Sequence, residues 1–411
     1  MKFAVLGLGG RGLTYAHFVK YFGGELVAVC DTNEKRKVQA REYGVEDKDF
    51  YTNEDEFWAK GKIADALIIA TMDSLHHRQT LKALDLGYDI LLEKPIATNL
   101  QDCLDIEKKA KETGRKVAIC HVLRFAPLYN KMKEIIDAGL IGDIVSGWFE
   151  EGIGYYHYAH AYVRGNWRNS KLDTPLVINK NCHDLDIICW LLNKKCLSVS
   201  AMGNLKVFKA ENAPEGSAKN CVDCKVKDTC PYNCFKIYNN EEYEKIAGLA
   251  KHGQLGSTEE EINATLSDRS NLYGRCVYHC DNDVFDHQIV NMQFEDGVTI
   301  HLQSSGFTEK IERSQIIFGT KGIIHANDHK LSYQRFGEEE VEVEIPVLTG
   351  GYAHHQGGDV GIVKQFMDYL ETGVLAPNMT DISVSVMSHK IGFLAYESQK
   401  QGGKLIELDN D

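Results

Sequence analysis

No stretch of this 411-residue chain reaches the roughly 18 consecutive apolar residues of a membrane helix, so a helical span is not expected. An excess of basic charge is missing too: 59 Asp and Glu against 46 Lys and Arg leave a formal charge of -13. That balance, with an isoelectric point near 5.7, argues against broad attraction to nucleic acid or to anionic membrane surfaces. An export signal is not expected at Met1, because the first apolar run is a short strand leading into a glycine loop that the fold must keep. Internal repeats and low-complexity tracts are not evident either. What is present is an ordinary globular composition, 43% hydrophobic, in a length that favours two domains. Small-molecule chemistry is therefore expected, with no nucleic-acid or membrane partner, and the cytoplasm is the expected compartment. The twelve cysteines then read as thiols rather than disulfides.

From Lys2 to Val122, short and continuously apolar runs (Phe3 to Leu8, Leu26 to Cys30, Ala66 to Ala70, Ile90 to Leu92, Val117 to Cys120) alternate with amphipathic helical stretches. Such runs fit strands covered on both faces, as in a parallel sheet with helical crossovers. Gly87 and Gly114 close the helices before the last two of them. Residues 1–122 read as a doubly wound α/β domain. Residues 123–411 read as an α+β domain, with a helix near Leu128 to Ala138 followed by strands at Ile144 to Glu151, Ser198 to Val207, Asp286 to Phe294, Thr299 to Gly306, Arg313 to Phe318 and Glu340 to Ile345. Together these predict a large open sheet, mostly antiparallel. Residues 208–285 interrupt it and carry the cysteine cluster. Helical periodicity returns at Gly357 to Glu371 and Ile382 to Gln399.

The run Gly7-Leu8-Gly9-Gly10-Arg11-Gly12 lies between a strand and a helix, the placement a dinucleotide-binding GxGxxG requires. Its small residues permit a tight turn and close backbone approach to a pyrophosphate at the helix N-terminus. Asp31 ends the second strand, where a carboxylate bonds ribose hydroxyls; capping the next helix is the competing role. An acid there repels a 2′-phosphate, so NAD is favoured over NADP. Lys94 follows Asp89-Ile-Leu-Leu-Glu93 at a strand's carboxyl end, where ligands of parallel sheets bind. Its ammonium suits a substrate oxygen on which negative charge develops during hydride transfer. Farther on, Tyr155-Tyr156-His157-Tyr158-Ala159-His160 to Arg164, Trp167 and Arg168 is dense in aromatic and hydrogen-bonding groups that suit a sugar, with Tyr158 or His160 in reach of it; an aromatic core edge is the competing reading.

Several of these motifs together resemble the glucose-fructose oxidoreductase, inositol dehydrogenase and MocA group, the Gfo/Idh/MocA family. The resemblance rests on Gly7 to Gly12, Thr71 with Ser74-Leu75-His76-His77, Glu93-Lys94-Pro95, Arg124-Phe125-Ala126-Pro127, Trp167-Arg168, His183 to Asp186, and His355-Gln356-Gly357-Gly358-Asp359. It implies a Rossmann domain and an open-sheet domain that also joins copies into a dimer or tetramer. It implies NAD(P)-dependent oxidation or reduction of a sugar or polyol. It further implies cofactor contacts from Thr71, His76 and Glu93 with Lys94, substrate contacts from Arg124, Arg164, Trp167, Arg168 and His355, and proton transfer by His183. Where the family often places an aspartate four positions before that histidine, this chain has Asn179, which orients a hydroxyl without the charge that raises a histidine's basicity. Lys180 is next to it, in the place from which the missing acid would act.

Cys221-Val-Asp-Cys224 and Cys230-Pro-Tyr-Asn-Cys234, with Cys276, offer a CxxC knuckle and further thiols suited to structural zinc, the fourth ligand being Cys234 or Cys276. Reduced packing thiols, a disulfide and an iron–sulfur cluster are the other readings. Three functions remain open in the sequence: an NAD-dependent oxidoreductase of a sugar or cyclitol, an NAD-dependent glycosidase that oxidises its substrate transiently, and a dinucleotide-sensing protein without catalysis.

Overall fold

A computed structural model describes residues 1–171, 173–249, 255–346 and 354–409. The segment 250–254 of the expected insertion lies outside these. The chain forms two compact units, the first comprising Met1–Leu140, Leu185–Asn193 and Val341–Phe393, the second Ile141–Asp184, Lys194–Glu340 and Leu394–Asp411.

In the first unit, β1 (Lys2–Leu6), β2 (Glu25–Cys30), β3 (Phe50–Tyr51), β4 (Ala66–Ile69), β5 (Asp89–Leu92) and β6 (Val117–Ile119) form one sheet in the order β3-β2-β1-β4-β5-β6. All its pairings are parallel. Strand side chains point alternately to opposite faces, so a fully apolar strand feeds two cores. Phe3, Val5, Ala66 and Ile68 pack on one side with α1 (Gly10–Tyr21). Ala4, Leu6, Leu67 and Ile69 pack on the other with α2 (Asp73–Asp85) and α3 (Leu100–Thr113). Asn99 caps α3 by accepting from the Asp102 N–H at 2.9 Å, and Gly114 ends it at φ 62°. Helix α4 (Pro127–Asp137), most of α5 (Cys182–Leu192), α6 (Gly358–Thr372) and the first part of α7 (Ile382–Lys400) belong to this unit as well.

The second unit is built on β7 (Ile144–Ile153), β8 (Cys196–Asn204), β9 (His287–Phe294), β10 (Thr299–Ser305), β11 (Ile311–Gly319), β12 (Gly322–Asn327) and β13 (Lys330–Arg335). With β14 (Glu340–Val343) and β15 (Ile406–Glu407) they make a nine-stranded sheet ordered β14-β13-β12-β11-β7-β10-β9-β8-β15. The β10–β7 pairing is parallel, and its neighbours β10–β9 and β11–β7 are antiparallel. The cysteine-bearing segment leaves after β8 and returns at β9, its neighbour in the sheet. Among the described residues no helix is long and apolar enough to cross a membrane.

Candidate functional site

The glycine loop of the first unit is sterically dictated. Gly7 sits at φ +83°, and a Cβ there would come 2.6 Å from the Ala70 carbonyl oxygen. A Cβ on Gly12 would lie 2.0 Å from the Gly7 oxygen, whereas one on Gly9 meets nothing within 4 Å. The first and last glycines thus close the turn, and the middle one leaves its surface open to a ligand. Helix α1 starts with no side-chain cap and no acid in its first turn, so its orphan N–H groups at Gly10 and beyond suit a pyrophosphate. Asp31 accepts from the Leu8 N–H at 2.7 Å and from the Asn33 N–H at 2.8 Å, fixing the carboxylate at the loop. The following helical turn is capped by Asn33 instead.

Lys94 leaves β5 through a buried clamp. Arg11 donates Nε to Glu93 at 2.6 Å and grips Asp359 with both terminal nitrogens, at 3.0 and 2.7 Å. Tyr15 donates its hydroxyl to Glu93 at 2.5 Å, and the other Glu93 oxygen accepts the Lys94 N–H at 2.9 Å. Burial pushes both carboxylates up, but Arg11 outweighs it and holds Glu93 and, more strongly, Asp359 below the usual range. Arg11 and Glu93, expected at the cofactor, therefore bond one another and brace the turn. His76 is buried with Nδ1 2.7 Å from the Pro95 oxygen and Nε2 3.3 Å from the Thr71 oxygen, while the Thr71 hydroxyl bonds Gln79 at 2.5 Å. His389 accepts the Ile96 N–H on Nε2 at 3.0 Å, so Nδ1 carries the proton toward the Ser385 oxygen at 2.9 Å. His355 lies beside this clamp, with Nδ1 3.0 Å from Asp359.

Arg124 is also enclosed. It makes a bidentate pair with Asp186 at 2.7 Å for both bonds, over the Trp190 ring. His121 is 3.8 Å from the same carboxylate, and burial lowers its pKa to about 4.

In the second unit the start of α5 carries His183, 6% exposed, beside a buried charge network. Lys180 lies 3.1 Å from Glu151, which Arg313 meets at 2.6 Å while also reaching Asp184 at 2.8 Å. Burial raises the Glu151 pKa against the pull of Arg313 and Lys180. Asn179 accepts from the Tyr162 hydroxyl at 2.9 Å. Asn181 joins Asp184, Gln288 and Ser304.

The aromatic stretch folds inward. Tyr158 is fully buried, donates to the Phe285 oxygen at 2.9 Å and stacks on Phe208 and Tyr162. His160 stacks on Tyr273 and meets the Tyr238 hydroxyl at 2.9 Å, its pKa lowered to about 4 by burial and then by Arg164. Arg164 donates to the Arg275 and Tyr232 carbonyls, and Arg168 pairs with Asp281. Trp167 packs toward Tyr162. The sequence pattern drew attention to this stretch for sugar binding, whereas four of its expected contacts anchor the insertion. Glu151 and Arg313, by contrast, stand out only in three dimensions, as does the pairing of Asp184 and Asp359 with distant arginines.

No disulfide joins any of the twelve cysteines. Cys221, Cys224, Cys230, Cys234 and Cys276 lie in neighbouring segments, yet no three of their sulfurs fall within 4.8 Å of one another; the group of potential metal ligands that does is His77, Asp102 and Asp105, among the described residues.

Comparison with known proteins agrees with this architecture. The oxidoreductase of Agrobacterium radiobacter solved in complex with NAD+, L-tartaric acid and magnesium superposes with a TM-score of 0.72 at 16% identity, covering 99% of this chain and 98% of that one. A myo-inositol dehydrogenase from Corynebacterium glutamicum gives 0.66 at 17% identity, covering 100% and 99%. In sequence, the oxidoreductase YteT of Bacillus subtilis is 28% identical over 319 residues, 72% of this chain and 70% of that protein. The scyllo-inositol 2-dehydrogenase (NAD(+)) of the same organism is 31% identical over 217 residues, 50% of this chain and 58% of that enzyme. The family model described as an oxidoreductase family with an NAD-binding Rossmann fold matches residues 1–121, and its C-terminal alpha/beta companion matches 133–408. The chain belongs to the Gfo/Idh/MocA family of oxidoreductases.

Proposed function

We propose that this protein transfers a hydride between NAD and a secondary hydroxyl of a sugar, sugar derivative or cyclitol. The observation that carries this reading is the clamp at Lys94: Arg11, Tyr15, Glu93 and Asp359 hold the turn from below, and His76 and His389 hold the backbone just after it. A lysine serving only solubility needs no such support; an oxyanion-stabilising ammonium does. When bound, the nicotinamide supplies the hydride acceptor or donor. Lys94 holds the substrate oxygen and stabilises its developing negative charge. His183 exchanges the hydroxyl proton with solvent, and Asn179, oriented by Tyr162, holds a neighbouring hydroxyl. Lys180 is held in place by Glu151 and sets its ammonium beside His183. Asp31 selects NAD over NADP, and copies associate through the nine-stranded sheet.

The test is a panel of sugars, cyclitols and glycosides assayed for both NADH appearance and glycoside cleavage. Against the true substrate, Lys94→Ala and His183→Ala should each lower turnover by on the order of 10²-fold or more, with NAD binding largely retained. Near-normal turnover in either variant removes that residue from the scheme. Cleavage without net NADH would replace the reaction itself.

A further inference from the structure

Arg164 is completely buried, and among the described residues no carboxylate pairs with it. A guanidinium does not lose its proton in a protein, and a buried charge needs a counter-charge. The groups around it are sulfur and backbone. Nη2 lies 3.9 Å from Cys221 Sγ and donates to the Tyr232 oxygen at 2.7 Å, while Nε donates to the Arg275 oxygen at 2.8 Å. These three contacts fall on the three chain segments that carry the cluster: Cys221 itself, Tyr232 midway between Cys230 and Cys234, and the residue before Cys276.

The segments are also joined to each other. Asn220 and Arg275 form an antiparallel bridge, and the Cys276 N–H donates to the Lys219 oxygen at 2.9 Å, which brings Cys276 beside Cys221. The Cys224 N–H closes a turn on the Cys221 oxygen at 3.2 Å. Cys230 and Cys276 each lie within the electrostatic reach of both Cys221 and Cys224. Cys234 is fully buried with its thiol against that of Cys221, where it supports that sulfur rather than adding a fifth ligand.

We infer that Cys221, Cys224, Cys230 and Cys276 ligate a thiolate-bound metal centre whose net negative charge is partly offset by Arg164. A tetrathiolate centre carries surplus negative charge, and an N–H to sulfur contact from a buried arginine is the outer support such ligands use. The centre would cross-link the insertion at three points along the chain and leave no open coordination position, which assigns it to architecture. Four thiolates on one zinc stand roughly 3.8 Å apart. Zinc therefore requires these thiols to close in from the spacing seen here, whereas a four-iron, four-sulfide cluster holds each thiolate on its own iron and spreads them.

The full-length protein, purified anaerobically under reducing conditions, should contain either about one zinc per chain without colour, or iron with acid-labile sulfide and visible absorbance. Cys224→Ser and Cys276→Ser should each lose at least half of the metal, and Cys280→Ser should keep it. Arg164→Met should lower metal content while Arg164→Lys restores part of it. Metal-free protein that takes up neither added zinc nor a reconstituted iron–sulfide cluster overturns the inference, and so does full metal content in both cysteine variants. The measurement on the unmutated protein decides even where a variant fails to fold, and it is independent of whether the substrate is a sugar.

Discussion

Asp31 does two things with one carboxylate. Two of its acceptor sites are filled by the backbone N–H groups of Leu8 and Asn33, and the remaining ones are available to ribose hydroxyls. The negative charge that the loop amides hold in place is the same charge that disfavours a 2′-phosphate. Asp31→Ala should therefore weaken NAD binding about tenfold, the scale of a lost charge-assisted hydrogen bond, and weaken NADP binding less. Titration of both nucleotides against both proteins checks it; an unchanged NAD-to-NADP ratio would remove Asp31 from cofactor selection. The glycine loop, Asp31 and Lys94 were legible in the sequence because each sits at a fixed offset from a strand end. The network of Glu151, Arg313 and Asp184 was not, since Arg313 and Asp184 are 129 positions apart and only folding makes them neighbours. The same holds for Arg11 and Asp359, 348 positions apart. Motif reading identified Arg11 by its place in the loop and could not see the carboxylates that draw its side chain away.

At the scale of elements, the end of β6 and the middle of α7 each bury a histidine, and their rings lie 5.7 Å apart. Burial lowers His121 to about 4 and His389, next to His121, to about 3, both from 6.5. Asp186 and Glu93 oppose the shift at His121, whereas Arg124 and Lys94 add to it. Above pH 6.5 both histidines are neutral in either state and contribute no pH dependence. Between 6.5 and about 4 the unfolded chain takes up protons that the folded chain refuses, so stability falls as pH falls, by about 1.4 kcal/mol per pH unit for each histidine. Urea unfolding across that window should show the slope, and His389→Gln should reduce it by one histidine's share. A flat profile would contradict the neutral pair. Elements with a strong apolar signal were readable from sequence alone, as α6 and α7 show. The β12–β13 hairpin was missed: Gly322-Ile-Ile-His-Ala-Asn and Lys330-Leu-Ser-Tyr-Gln-Arg are short and half polar, and the Asn327 side chain that makes their turn, accepting from the His329 and Lys330 N–H groups, is a local device with no periodicity.

For the molecule as a whole, the nine-stranded sheet has two unlike faces. Phe149, Val290, Leu302 and Ile317 point into the core, and the residues between them point away. Strand register aligns that second set: Trp148 lies opposite Ile316 and His301, and Phe318 lies opposite Ile323. Phe318 is 42% exposed and Met202, toward the other edge, 53%. An apolar band of this kind on a broad sheet fits a self-complementary contact between copies. Light scattering should give at least twice the 46.2 kDa chain mass, and Phe318→Glu should shift the population toward single chains. A monomer at micromolar concentration before mutation would leave the band without that role.

The segment 205–286 leaves and rejoins this sheet at one place: the Asp286 N–H bonds the Asn204 oxygen at 2.9 Å, and Asn204 is in register with His287. In topological terms it is a closed excursion pinched off at its own neck. The hairpin on which it rides would join the same two strands with a short turn in its place, so the closure entropy of the long loop is met by pairing that β8 and β9 make anyway. Excising the segment would leave the strand order on either side as it was, and the cost would fall instead on Tyr158, His160, Arg164 and Arg168, whose partners it supplies.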